Sequence, residues 1–162
     1  TEAQGLEGTA WFAGTDWVWK HDSPAPFGKG DVVVQAEYVY RAKDLDRVVS
    51  EDPANLGKPS DSKQDGFYVQ GTWGFAPRFT VSARYDAVGA FVNQVDQGDL
   101  GRNDYGASWR VSGGLAFNPT EFSRLRAQFS HGDAVVGGVR ESFNQFFLQY
   151  QLSLGVHGAH KF

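Results

Sequence analysis

Seven stretches of this chain alternate apolar and polar residues, and none of them carries Asp, Glu, Lys or Arg on its apolar face. Period-two alternation marks a strand with one apolar side. The last stretch, residues 141–162, shows the pattern most plainly. There Phe146, Leu148, Tyr150, Leu152, Leu154 and Val156 alternate with Gln145, Gln149, Gln151, Ser153 and His157. A soluble strand usually stops after about five or six residues, whereas crossing hydrocarbon takes roughly nine to eleven tilted ones.

The other six stretches are 9–20, 31–42, 67–75, 79–86, 108–117 and 124–130. Their apolar registers run Trp11 to Trp19, Val32 to Tyr40, Phe67 to Phe75, Phe79 to Tyr85, Trp109 to Phe117 and Leu125 to Phe129. The connections alternate in length. Short turns are expected around Pro24 to Gly28, at Ala76-Pro77-Arg78 and at Asn118-Pro119-Thr120-Glu121, and long polar loops over 43–65, 90–104 and 131–140. Transmembrane β-barrels place short turns on the periplasmic side and long loops outside. A soluble sandwich has no reason to keep strands so uniform or to exclude charge from one entire face.

The expected fold is therefore all-β: a transmembrane antiparallel up-and-down β-barrel, one domain over residues 1–162, with about seven strands visible. An even-stranded barrel with both ends periplasmic needs more than seven, so the chain is expected to be part of a larger one. An N-terminal portion or partner chains would complete it. The first residue is Thr1 rather than Met, which fits a processed or truncated product.

Composition agrees. Mean hydropathy is -0.42, and no window approaches the eighteen or so apolar residues of a helical span. Cys is absent, so no disulfide framework exists. The net charge of -4 and the lack of a basic run point to no nucleic-acid partner. No nucleophile elbow, phosphate loop or metal-binding spacing appears, and His157 and His160, three apart on a strand, face opposite ways. No enzyme activity, cofactor or metal site is expected.

The terminal strand resembles those of Gram-negative outer-membrane β-barrels, and the resemblance implies that Phe162 is the assembly signal read by the barrel-assembly machinery. His160 and Gly158 depart from that pattern, which prefers bulky side chains there. With GFYVQGTWGFAPRFTVSARYD (Gly66 to Asp86) and FNPTEFSRLRAQF (Phe117 to Phe129), the chain resembles the C-terminal part of porins of the phosphate-selective type and their relatives. That likeness implies a bacterial outer-membrane location, passive diffusion of small hydrophilic solutes, and in some members a homotrimer.

Candidate pore-lining residues are the charges in the polar register: Asp16, Lys20, Glu37, Arg41, Arg84, Asp86, Arg110, Arg124 and Arg126. Cations outnumber anions among them, so the wall leans towards anions as solutes, and Arg84, Arg110 and Arg126 can form one guanidinium stripe at mid-depth. The plain alternative for each is cross-strand pairing with a carboxylate. Two further readings stand beside the channel: an anchoring barrel with a plugged lumen, and a soluble ligand-binding barrel.

Overall fold

The computed structural model describes residues 5–96, 102–103, 106–136 and 138–153. One antiparallel sheet contains the strands β1 (Gly5–His21), β2 (Val32–Val49), β3 (Asp61–Ala76), β4 (Phe79–Asp96), β5 (Arg102–Asn103), β6 (Ser108–Thr120), β7 (Ser123–Val136) and β8 (Val139–Leu152). Each long strand pairs with its sequence neighbour in the order β1-β2-β3-β4-β6-β7-β8, while the two-residue β5 pairs with β4. This is the expected up-and-down arrangement of seven long strands. Among the described residues β1 and β8 do not pair, so the sheet is open. The positions beyond Ser153, including Leu154, Val156, His157, His160 and the Phe162 assembly signal, lie outside the described residues.

The strands run further than their apolar faces. The segments expected as long loops at 43–65, 90–104 and 131–140 are largely strand: β2 continues to Val49, β3 starts at Asp61, β4 continues to Asp96, and β7 and β8 are joined around Gly138. Above the hydrocarbon both faces of a strand meet water, so pairing persists where alternation stops. A strand of 18 residues such as β2 is about 60 Å long, against an apolar band of about 25 Å, so the excess must stand clear of the membrane.

Strand tilt can be read from the register. The outward row Trp19, Val34, Gly71, Ala83, Gly113, Phe129, Phe146 crosses all seven long strands. On β1 it marks the lower end of the apolar face, just above His21; on β8 it marks the upper end, just beyond Asn144. The apolar band thus slips by about its own height across six strand-to-strand steps, slightly more than one residue per strand. With about 3.4 Å per residue and about 4.8 Å between strands, that slip is a tilt of about 40°, as barrel closure requires.

Outward side chains in this band are exposed, among them Trp17, Trp73, Val81, Val111, Leu115, Phe129 and Leu148. Rings cluster at its borders. Trp11 with Tyr40, Phe67 with Tyr85, and Trp109 with His131 lie towards the loop ends, while Trp73, Phe75, Phe79 and Phe117 form a chain of contacts by the turns. Such girdles suit the two membrane interfaces.

One irregularity breaks the outer surface. Between Gln64 and Gly66 the β3–β4 register jumps from Asn93 to Val88, so β4 bulges through Gly89, where φ is 69°. Asp65, only 2% exposed, holds the bulge by accepting hydrogen bonds from the Phe91 and Val92 backbone N–H groups at 3.3 and 3.1 Å. Replacing Asp65 with Ala strands both donors, at an expected cost of about 1 to 3 kcal/mol. Amide hydrogen exchange at Phe91 and Val92 should accelerate in that variant while exchange at Val81 stays slow.

Candidate functional site

Register sets which polar side chains share the opposite face. One inward row reads Asp16, Glu37, Tyr68, Asp86, Arg110, Gly132, Phe143, and the row two residues nearer the turns reads Val18, Gln35, Gln70, Arg84, Ser112, Ser130, Gln145. A cavity of about 1000 Å³ at the turn end is lined by residues of six strands, among them Val33, Thr72, Thr80, Asn118, Arg124 and Gln151. Side chains from strands so far apart in the sheet can border one space only if the sheet curls with this face inside.

At the β4–β6 seam three candidates meet. Arg84 donates through Nε to Asp86 Oδ1 at 2.8 Å, and its Nη2 lies 2.7 Å from the same oxygen. Arg110 donates to Asp86 Oδ2 through Nε at 3.2 Å and Nη2 at 3.1 Å. The Arg84 guanidinium also lies over Tyr68, 3.7 Å from the ring centroid, and its Nη1 reaches Gln70 Oε1 at 3.4 Å. One carboxylate thus clamps two guanidiniums, with a ring fixing the plane of one.

The expected arginine stripe does not form. Arg126 pairs across the sheet with Ala116, six residues along β6 from Arg110, or about 20 Å. It donates instead to Gln128, which donates to Ser130 Oγ at 3.2 Å, and Ser130 shares a buried 2.9 Å hydrogen bond with Ser112. Arg110 and Arg126 flank the same β6–β7 turn, but Arg110 stands ten residues before Thr120 and Arg126 three after Ser123, so hairpin pairing cannot bring them level.

The remaining candidates stand apart. Asp16 and Glu37 are direct neighbours on β1 and β2, an unfavourable pairing of like charges that an aqueous surface tolerates. Lys20 sits opposite Val33, Arg41 donates to Gln64 Oε1 at 3.2 Å, and Arg124 borders the turn-end cavity. Extending the strands adds Lys43 and Arg47 to the inward register of β2, with Arg47 only 5% exposed beside the chain at Gly57 and Lys58. The acidic residues Asp44, Asp46 and Asp61 lie on strands rather than in loops.

Period two puts Tyr68 and Gln70 in the polar register but gives them no role, because contact with Arg84 depends on the β3–β4 pairing. It also passes over apolar intruders on this face. Phe12 is 79% and Phe147 57% exposed there, and Phe143 lies across Gly132, where an added Cβ would come within 3.1 Å of its ring.

The turns form a second constellation. Arg78, at φ 69°, donates its backbone N–H to Phe27 O and accepts from Asn118 N, both at 2.9 Å. Its guanidinium covers the Phe27 ring at 4.7 Å and donates to Pro119 O at 2.7 Å. The three short turns, expected on one side of the sheet, are thereby tied into one rim.

Against known proteins, a family model described as TonB dependent receptor-like, beta-barrel matches residues 3–156. An uncharacterized protein of Aquifex aeolicus (strain VF5) is 32% identical over 131 residues, covering 79% of this chain and 26% of that protein. The chain therefore spans about a quarter of that relative's length. No solved structure matches the chain significantly. The family match carries an outer-membrane β-barrel and stops short of the phosphate-selective porin type.

Proposed function

Because the chain belongs to the TonB dependent receptor-like β-barrel family of outer-membrane proteins, we propose that it forms part of a barrel wall past which small hydrophilic solutes diffuse, with a lean towards anions. The observation that supports this most directly is the curled polar face bearing Arg84, Arg110 and Asp86, opposite an outer face with no charge in its apolar band. Charged side chains lining a lumen select among solutes by sign, because a cleft of one charge raises the local concentration of the other. On this reading Asp16, Lys20, Glu37, Arg41, Arg124 and Arg126 line the same lumen. Lipid surrounds the barrel, and further strands of the complete protein close it.

A second reading is favoured by Phe12 and Phe147. Apolar rings this exposed on a water-facing wall suit a lumen filled by other parts of the complete protein, as in an anchoring barrel or a TonB dependent receptor of the kind the family description names. Planar-bilayer recording of the complete protein separates the two. Steady ohmic single-channel steps are expected for the diffusion channel. Silent membranes with protein demonstrably inserted would overturn it in favour of the filled lumen.

A further inference from the structure

If the polar face is a channel wall, the β4–β6 seam determines how that wall treats an anion. Arg84 and Arg110 direct three N–H groups at the two oxygens of Asp86, and Arg84 Nη2 stands 2.7 Å from Oδ1 as an ion pair. The side chains are 32%, 40% and 19% exposed in the order Arg84, Arg110, Asp86, so water and solutes reach the clamp. A guanidinium fork accepts any carboxylate of suitable approach, and nothing chemical distinguishes the Asp86 side chain from acetate except its tether. Tyr68 and Gln70 hold the Arg84 plane independently of Asp86. The Arg84 fork therefore does not depend on its resident carboxylate for its position.

We infer that Arg84 and Arg110 form a carboxylate-binding site whose resident occupant is Asp86, and that a carboxylate solute binds there by exchange with that side chain. The inference rests on the channel reading for its transport consequence and on geometry alone for the site. Exchange makes binding shallow, because each solute contact replaces one already made. Shallow binding suits conduction, which requires a site that releases what it captures. The tethered carboxylate then returns and expels the solute.

Removing Asp86 should convert this shallow site into a retentive one. Any lost carboxylate in a lumen also raises anion preference through the general field, so the comparison needs a control of equal charge. Asp16 belongs to the same register row and its side chain makes no hydrogen bond or ion pair among the described residues, so Asp16→Ala serves. In the complete protein, acetate should block chloride current at about tenfold lower concentration in Asp86→Ala than in Asp16→Ala, which carries the general-field effect alone. Adding Arg84→Gln and Arg110→Gln to Asp86→Ala should abolish the gain. Asp86→Asn, which keeps the side-chain volume, should show a smaller gain in the same direction and covers the case in which two facing guanidiniums prevent Asp86→Ala from folding. Equal block in the Asp86 and Asp16 variants would overturn the site. If the wild-type protein passes no current, the channel reading fails, and calorimetry of acetate on the detergent-folded protein still decides the site: equal affinity in wild type and both Asp86 variants would refute it.

Discussion

Replacing Leu115 with Arg is expected to cost about 2 to 4 kcal/mol of stability in lipid, and replacing Gln149 with Arg less than about 1 kcal/mol. Leu115 is on β6, in the outward row Val32, Trp73, Val81, Leu115, Ala127, Leu148, and it is 47% exposed because the sheet itself leaves it uncovered. In a membrane that exposure is to hydrocarbon, so a guanidinium there must be dehydrated or must thin the bilayer around it. Val111, four residues nearer the loops, is a gentler position because its row ends at His131 and Asn144, already polar. Gln149 belongs to the inward register opposite Arg126, where water solvates an added charge. Urea unfolding of the complete protein from lipid vesicles measures both. Equal losses would mean that the two faces have been assigned wrongly.

Gly74→Ala is the second large effect, expected at about 3 kcal/mol, and its cause is the turn rim rather than the membrane. A Cβ at position 74 would stand 1.8 Å from the Gly28 carbonyl oxygen. That oxygen belongs to the Pro26–Gly28 turn, which is pinned on both sides: Gly30 N donates to Gly74 O at 2.5 Å and Gly74 N donates to Asp31 O at 2.9 Å. Relieving the clash breaks these two bonds and withdraws Phe27 from beneath Arg78. Gly71→Ala on the same strand is the matched control. Its Cβ would meet nothing within 4 Å, and removing a flexible residue from a strand should leave stability unchanged or slightly improved. Hydrogen exchange at Gly30 should rise in the Gly74 variant alone, alongside a lower urea midpoint.

The reach of sequence reasoning follows the hydrocarbon band. Where one face must avoid charge and the other need not, alternation is enforced residue by residue, and Trp11 to Trp19 or Trp109 to Phe117 could be placed on strands and on the correct face without coordinates. Above the band that constraint ends. Lys43 to Val49 and Asp61 to Asp65 carry polar residues on both faces, so they resembled loops although the strands there remain paired. The bulge at Gly89 was equally hidden, because Asp65 signals nothing until the register brings Phe91 and Val92 to its carboxylate.

The candidate site divides in the same way. Residue identity and strand parity alone place Arg84, Asp86 and Arg110 in the polar register, since both follow from period two. Which of them touch is a matter of pairing between strands, and pairing depends on turn geometry and tilt, which alternation does not encode. Register brought Arg110 against Asp86, laid Arg84 on Tyr68 and sent Arg126 about 20 Å away to Gln128. The sequence by itself determined an antiparallel strand set with a lipid-compatible face and a basic-leaning polar one, because solvent segregation acts on each residue separately. Only the tertiary structure decided the clamp on Asp86, the rim through Arg78 and the height of the strands above the membrane, because those depend on where neighbouring strands meet.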